Sequence, residues 1–330
     1  MRLSAIDAVQ RGLTNLRSNR ELIVLQMVQG GILAVLSVAG AVPIVLALGV
    51  GALRSLMAAS ASPWGRSTGS PADLSPYIER MFSNWPLLLA AVFGALCIWT
   101  LAFLVYCYFQ AGVMGELAAG DAKAAALGKT RPDRADFRVF SLAGFNSKGQ
   151  AKIWQFFWLI NIFVTLALLI VLVLSLVLSG VVAWAFKGGS TAAAVGLGCL
   201  SALFLAPVWV FLSLWGQLAK ALLVSSASGF WSAFRESFSL LFRRLGAVLL
   251  IAVLAFVAGV AVSMVFVPVS LAADFGLGDS FRVQITADVV LMVVQTVISA
   301  VLGAAVAAVF IALARSEGKR PESDSEGALP

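Results

Sequence analysis

The chain has 330 residues, of which 61% are hydrophobic and 12% charged, with a formal net charge of +7 and no histidine. The charged fraction is about half that of an ordinary soluble domain, which excludes a water-soluble globule. The missing imidazole removes the commonest general base, proton relay and metal ligand together.

The first 21 residues form a polar leader. Within it, SAIDAVQRGLTNLRSNRELIVL (4–25) places Ile6, Val9, Leu13 and Leu16 on one face, predicting a helix near 4–18 that lies along a membrane surface. Uncharged runs then occur at 22–53, 81–115, 153–186, 188–219, 245–273 and 289–314. Each exceeds the roughly 20 apolar residues that cross a hydrocarbon core. The prediction is an all-α polytopic membrane protein with six transmembrane helices, because the runs are continuously apolar and do not alternate as barrel strands do. The first run is too long for a signal peptide and is expected to remain as a span, although Ala59-Ser60-Ala61 follows it. In the 54–86 loop, Ser75-Pro76 resembles a helix start, predicting a short helix near 76–84. Pro43, Pro207 and Pro268 are expected to kink or end their helices.

Before the third span, ADFRVFSLAGFNSKGQAKIWQFF (135–157) repeats the amphipathic stripe in poorer form, interrupted by Gly144 and Gly149. Before the fifth, SGFWSAFRESFSLLFRRLG (228–246) is sharper. Phe230, Trp231, Phe234, Phe238, Leu241, Phe242 and Leu245 fall on one face of a helix at 230–244, with Ser232, Glu236, Ser239 and Arg243 largely opposite. Val9, Leu13 and Leu16 correspond to Phe234, Phe238 and Leu241 at a constant offset of 225 residues. The layout predicted is three units, each an interfacial segment followed by two spans. Ala255, Gly259 and Ser263 in the fifth span and Ser299, Gly303 and Ala307 in the sixth recur every four residues, as helix-packing surfaces do. Residues 1–315 are thus expected to form one transmembrane domain, and the polar tail 316–330 to be disordered.

Of the 23 Lys and Arg, 18 lie in the leader, the 116–152 and 220–244 loops and the C-terminal stretch from Arg315, and five on the other side. This asymmetry predicts a multi-pass protein of the plasma (inner) membrane with both termini cytoplasmic. It also accounts for the net charge without nucleic acid, for which no motif is present.

Cys97, Cys107 and Cys199 are scattered through apolar runs, giving neither a zinc pattern nor a disulfide framework. Carboxylates are absent from the six runs; Glu116 and Asp121 are five apart where the second run ends, a spacing more usual for helix-end charges than for a divalent-ion site. No phosphate-binding motif is present. No catalytic, cofactor or metal residue is assigned. The polar residues inside the runs, among them Gln26, Gln29, Gln110, Asn161, Gln217 and Gln295, are uncharged and suit interhelical hydrogen bonds.

YFQAGVMGELAAGDA (108–122) and AFRESFSLLFRRLGAVLL (233–250) resemble the membrane domain attached to some bacterial glycerophosphoryl diester phosphodiesterases, and related six-helix integral membrane families. The resemblance implies an architecture and no activity, since the phosphodiesterase chemistry of that family resides in a separate soluble domain. The function expected is a non-enzymatic membrane or lipid-associated scaffold, or a partner subunit for another membrane or cytoplasmic protein. Arg235, Arg243 and Arg244 are the expected contacts to anionic lipid in the bilayer. The alternatives are a transporter or channel for a small neutral or amphiphilic solute and, less favoured, a lipid-modifying enzyme.

Overall fold

The computed structural model describes residues 3–48, 85–129, 132–187, 191–225, 229–276 and 281–318. The described residues form helices only: α1 (Ala5–Ser18), α2 (Glu21–Leu48), α3 (Trp85–Ala126), α4 (Arg134–Phe137), α5 (Leu142–Lys187), α6 (Thr191–Ser225), α7 (Phe230–Arg243), α8 (Leu245–Gly276) and α9 (Phe281–Gly318). Six of them, α2, α3, α5, α6, α8 and α9, are long and apolar enough to cross a membrane. The helix near 76–84 and most of the tail lie outside the described residues, whereas Ser316–Gly318 of the tail continue α9. α2 and α6 run on through Pro43 and Pro207, and α8 passes Pro268 without a break.

The chain divides into two compact units, residues 28–106 and residues 1–27 with 107–330. In the first, α2 and α3 run antiparallel: a side chain on Gly40 would overlap the Trp99 indole, and Gly94 faces the Pro43 ring. Small residues thus admit bulky partners, as expected where packing and not hydrophobicity joins helices in lipid.

In the second unit the core centres on the last turns of α9, where Ala307–Ala314 are buried on every side. α1 lies across it. Ser4 caps α1, its hydroxyl accepting from Asp7 N–H at 3.1 Å while its own N–H donates to Asp7 Oδ2 at 3.3 Å. Gly12 brings the two helices into contact, since a Cβ there would sit 2.7 Å from the backbone of Val309.

α3 and α5 contain 42 and 46 residues, about 63 and 69 Å at 1.5 Å per residue, twice a 30 Å hydrocarbon core. Part of each must therefore project. The segment predicted as a third interfacial helix before the third span is not a separate helix: residues 142 onward are the continuous start of α5. Gly144 and Gly149 do not interrupt it because both are contact points. Side chains there would meet Glu116 and Tyr108 of α3, and Gly112 and Gly115 of α3 likewise face Phe145 and Lys148. The helix-weakening effect of glycine is offset by this close crossing.

Candidate functional site

Three arrangements of side chains occupy the same end of the larger unit. The first joins α1, α3, α4 and α9 through polar groups. Arg11 Nε pairs with Asp121 Oδ1 at 2.5 Å, Arg11 Nη2 donates to the Asp121 carbonyl at 3.2 Å, and Arg315 Nε lies 3.6 Å from Asp121 Oδ2. Asn15 donates to the Leu117 carbonyl at 2.7 Å. Asn19, wholly buried, donates to the Phe137 carbonyl at 3.0 Å and accepts from the N–H groups of Val139 and Phe140 at 3.2 and 3.1 Å. Gly120 leaves room for these amides, since a Cβ on it would lie 2.7 Å from Asn15 Oδ1. Below this, Lys129 Nζ sits 3.0 Å from both oxygens of Asp136, whose Oδ2 also accepts from Asp133 N–H at 2.8 Å. The Lys129 hydrogen bond foremost, then that of Asp133, hold the Asp136 carboxyl below its ordinary range.

The second is the glycine crossing of α3 and α5. Glu116 is fully buried there, with Lys148 Nζ 2.8 Å from its Oε1, an ion pair by distance whose angle falls short of a hydrogen bond. Glu116, Asp121 and Asp136 therefore each have their own cation and do not converge. Among the described residues no group of three potential ligands is placed to hold a metal ion.

The third is α7, whose surface divides into three arcs. With Ala233 as origin and 100° per residue, Ala233, Ser237, Leu240 and Leu241 occupy the arc from about −20° to 80° and are buried. Trp231, Phe234, Phe238 and Phe242 follow from about 100° to 180°. Trp231, Phe238 and Phe242 are 58%, 43% and 54% exposed, so the outer part of this arc is uncovered, while Phe234 packs on Trp215 of α6. Arg235, Ser239, Arg243 and Glu236 fill the remainder, from about 200° to 300°. On the inner arc, Trp215 Nε1 of α6 donates to Ser237 Oγ at 3.0 Å, and the Ser237 hydroxyl donates to the Phe234 carbonyl at 2.7 Å. The Trp215 ring also contacts Phe234, Phe238 and Phe163 with centroids 4.6, 5.0 and 5.0 Å apart. Arg244 alone separates α7 from α8, its N–H donating to the Leu240 carbonyl at 2.9 Å. α1 repeats the scheme: Ala5, Ala8, Gly12, Asn15 and Leu16 are buried, while Ile6, 60% exposed, Val9 and Leu13 lie on the adjoining arc.

Of the residues singled out from sequence, Arg235 and Arg243 are exposed on the polar arc, Arg235 bordering the aromatic one, and Arg244 is half-buried toward the inner arc. Ala307 is buried, and a Cβ on Gly303 would lie 3.8 Å from Gln26 Oε1 of α2. Ser299 is exposed. On α8, Ala255 is half-buried, a Cβ on Gly259 would meet nothing within 4 Å, and Ser263 is exposed and donates to its own Gly259 carbonyl. Lys220 was missed. It lies inside the span Leu205–Ser225, and the run of uncharged residues ended one position before it. The signal was the apolar sequence LAKALLV (218–224) on both sides of a lone lysine.

Six membrane-length helices, with two short helices leading into the first and fifth, define a polytopic α-helical membrane protein. The chain matches no protein-family profile, no curated protein and no solved structure.

Proposed function

We propose that the protein is a non-enzymatic scaffold of the cytoplasmic leaflet of the plasma membrane, which gathers anionic lipid around α7 and α1 and offers this surface to partner proteins. The observation that carries this reading is the threefold division of α7. A helix with one face in the protein, one aromatic face uncovered and one basic face has the surface of an element lying at the acyl–headgroup boundary. Its fusion to the membrane span α8 through one residue holds it at that depth. Trp and Phe rings suit the boundary, and exposed arginines attract anionic headgroups. Arg235 and Arg243 carry that attraction; Arg244, turned inward, serves the junction.

The test is reconstitution of the full chain in vesicles of phosphatidylcholine with phosphatidylglycerol, with spin-labelled versions of each lipid reporting the immobilised fraction. Phosphatidylglycerol is expected to be preferred, and the Arg235→Gln/Arg243→Gln variant to lose much of the preference. Equal immobilisation of both lipids by the unaltered protein refutes the reading.

A further inference from the structure

Asp121 of α3 is 2% exposed and meets two guanidiniums, Arg11 of α1 on Oδ1 and Arg315 of α9 on Oδ2. One carboxylate thus fixes both arginines in one place. Arg11 spends one edge on this contact, Nε reaching Oδ1 and Nη2 the Asp121 carbonyl. Its Cζ also lies 5.7 Å from the centroid of the Phe137 ring, which covers one flat side. Arg315 approaches Oδ2 through Nε at 3.6 Å, too far for a hydrogen bond. A guanidinium carries five N–H donors, so most of those on the pair are unspent. Nη1 of Arg11 and both terminal nitrogens of Arg315 have no acceptor among the described residues. The two side chains are 17% and 20% exposed, and these nitrogens are not sealed from the surroundings.

The charges do not balance. Two guanidiniums face one carboxylate here, whereas Glu116 has Lys148 and Asp136 has Lys129. The end of α9 supplies about half a negative charge, which does not cancel the surplus. Asp7, one turn before Arg11 on α1, is engaged instead by the N–H and hydroxyl of Ser4. Arg315 is the last residue but one of the span Val293–Ser316, so the pair sits where hydrocarbon gives way to headgroups. Surplus positive charge between helices at that level matches a phosphate headgroup. A guanidinium fork grips oxygens in pairs, and a phosphate has enough of them to serve two forks where a carboxylate serves one.

We propose that Arg11 and Arg315, held in place by Asp121, form a receptor for one phosphate group at the contact of α1 with α9, the group being carried by an anionic phospholipid or free in the aqueous phase. The phospholipid form rests on the lipid reading above and deepens it from a diffuse attraction at exposed arginines to one retained lipid.

Native mass spectrometry of the full chain in detergent tests the site, with phosphatidylglycerol, phosphatidylcholine and inorganic phosphate as probes. The unaltered protein is expected to keep one phosphatidylglycerol through delipidation, in preference to phosphatidylcholine. Arg315→Gln is expected to lower that retention about fivefold, the equivalent of about 1 kcal/mol for one arginine near a headgroup. This variant leaves Arg11 and Asp121 as a neutral pair, so its unfolding midpoint in sodium dodecyl sulfate should stay at the parent value, and loss of the lipid is then loss of the site. Arg315→Lys keeps the charge and is expected to restore most of the retention; failure to do so in protein with the parent midpoint overturns the receptor. Retention of inorganic phosphate with the same dependence on Arg315, where phosphatidylglycerol shows none, assigns the site to the free ion. If Arg315→Gln binds both probes as the unaltered protein does, or if neither probe binds at all, the receptor is overturned. Arg235→Gln/Arg243→Gln protein should keep the single lipid while losing the vesicle preference, so the two readings fail separately.

Discussion

Replacement of Asn19 by alanine should be among the most damaging single changes outside the apolar core. Its side chain is fully buried, and its amide nitrogen lies 3.0–3.1 Å from three acceptors: the Asn15 carbonyl, Asn15 Oδ1 and the Phe137 carbonyl. Its oxygen accepts from Val139 and Phe140. The nitrogen has two hydrogens, so one is shared, and about four bonds are realised. Truncation leaves the Phe137 carbonyl and two backbone N–H groups without their partner. At about 1 kcal/mol for each group left unmet, with Val139 and Phe140 recovering part from water, the expected loss is about 2 kcal/mol. Asn19→Asp should be no milder at neutral pH: it keeps the acceptor for the two N–H groups but sets a second oxygen against two carbonyls. Unfolding in mixed micelles by titration with sodium dodecyl sulfate, followed by the reactivity of buried Cys107, measures the difference. A variant within about 0.5 kcal/mol of the parent, the range of an ordinary surface change, would show that Asn19 does not clamp residues 137–140 to α1.

Further outcomes follow from neighbouring groups. Asp121→Asn should cost about 2–4 kcal/mol by the same titration, because it leaves Arg11 and Arg315, both largely enclosed, facing each other without their shared carboxylate. Gly120→Ala and Gly259→Ala should separate sharply. The first sets a methyl 2.7 Å from Asn15 Oδ1 and the Phe137 carbonyl and should destabilise by about 1–3 kcal/mol, whereas the second meets open space and should be near neutral. Equal effects would contradict the placement of α1 on α3. Asp136 has a folded value below its ordinary 3.8, so its stabilisation is complete above that pH and is lost as pH falls through the lower folded value. Carboxyl-carbon NMR should show the Asp136 midpoint rising toward 3.8 in Lys129→Met, and an unmoved midpoint would refute the Lys129 hydrogen bond as the main cause.

The six spans and both short helices were legible in the sequence because each rests on a local signal: a long run without charge, or an apolar stripe at helical spacing. The inner face of α1 was not. Nothing local marks Gly12, Asn15 and Asn19 as buried, because their partners, Val309, Leu117 and Phe137, stand more than 100 residues away. Polarity marks a group that needs a hydrogen bond and does not distinguish water from a distant carbonyl. Gly144 and Gly149 misled in the opposite way, since glycine reads as a helix breaker until the helix that needs the space is known.

The same logic bears on where function resides. In lipid, apolar surface is unremarkable, and most exposed Leu, Val and Phe on the spans carry no information about partners. What discriminates is charge held at membrane depth and aromatic surface held at the boundary. Among the described residues, α7 carries exposed aromatic surface in Trp231, Phe238 and Phe242. Helices α3 and α5 project beyond the hydrocarbon and are cross-braced by Glu116–Lys148, while Trp215–Ser237 locks α7 onto α6. α7 is therefore too firmly seated to act by lifting off. If it gathers lipid, it does so as a fixed surface, and Ser237→Ala, which frees the Trp215 indole N–H, should weaken that surface's lipid preference without removing a single charge.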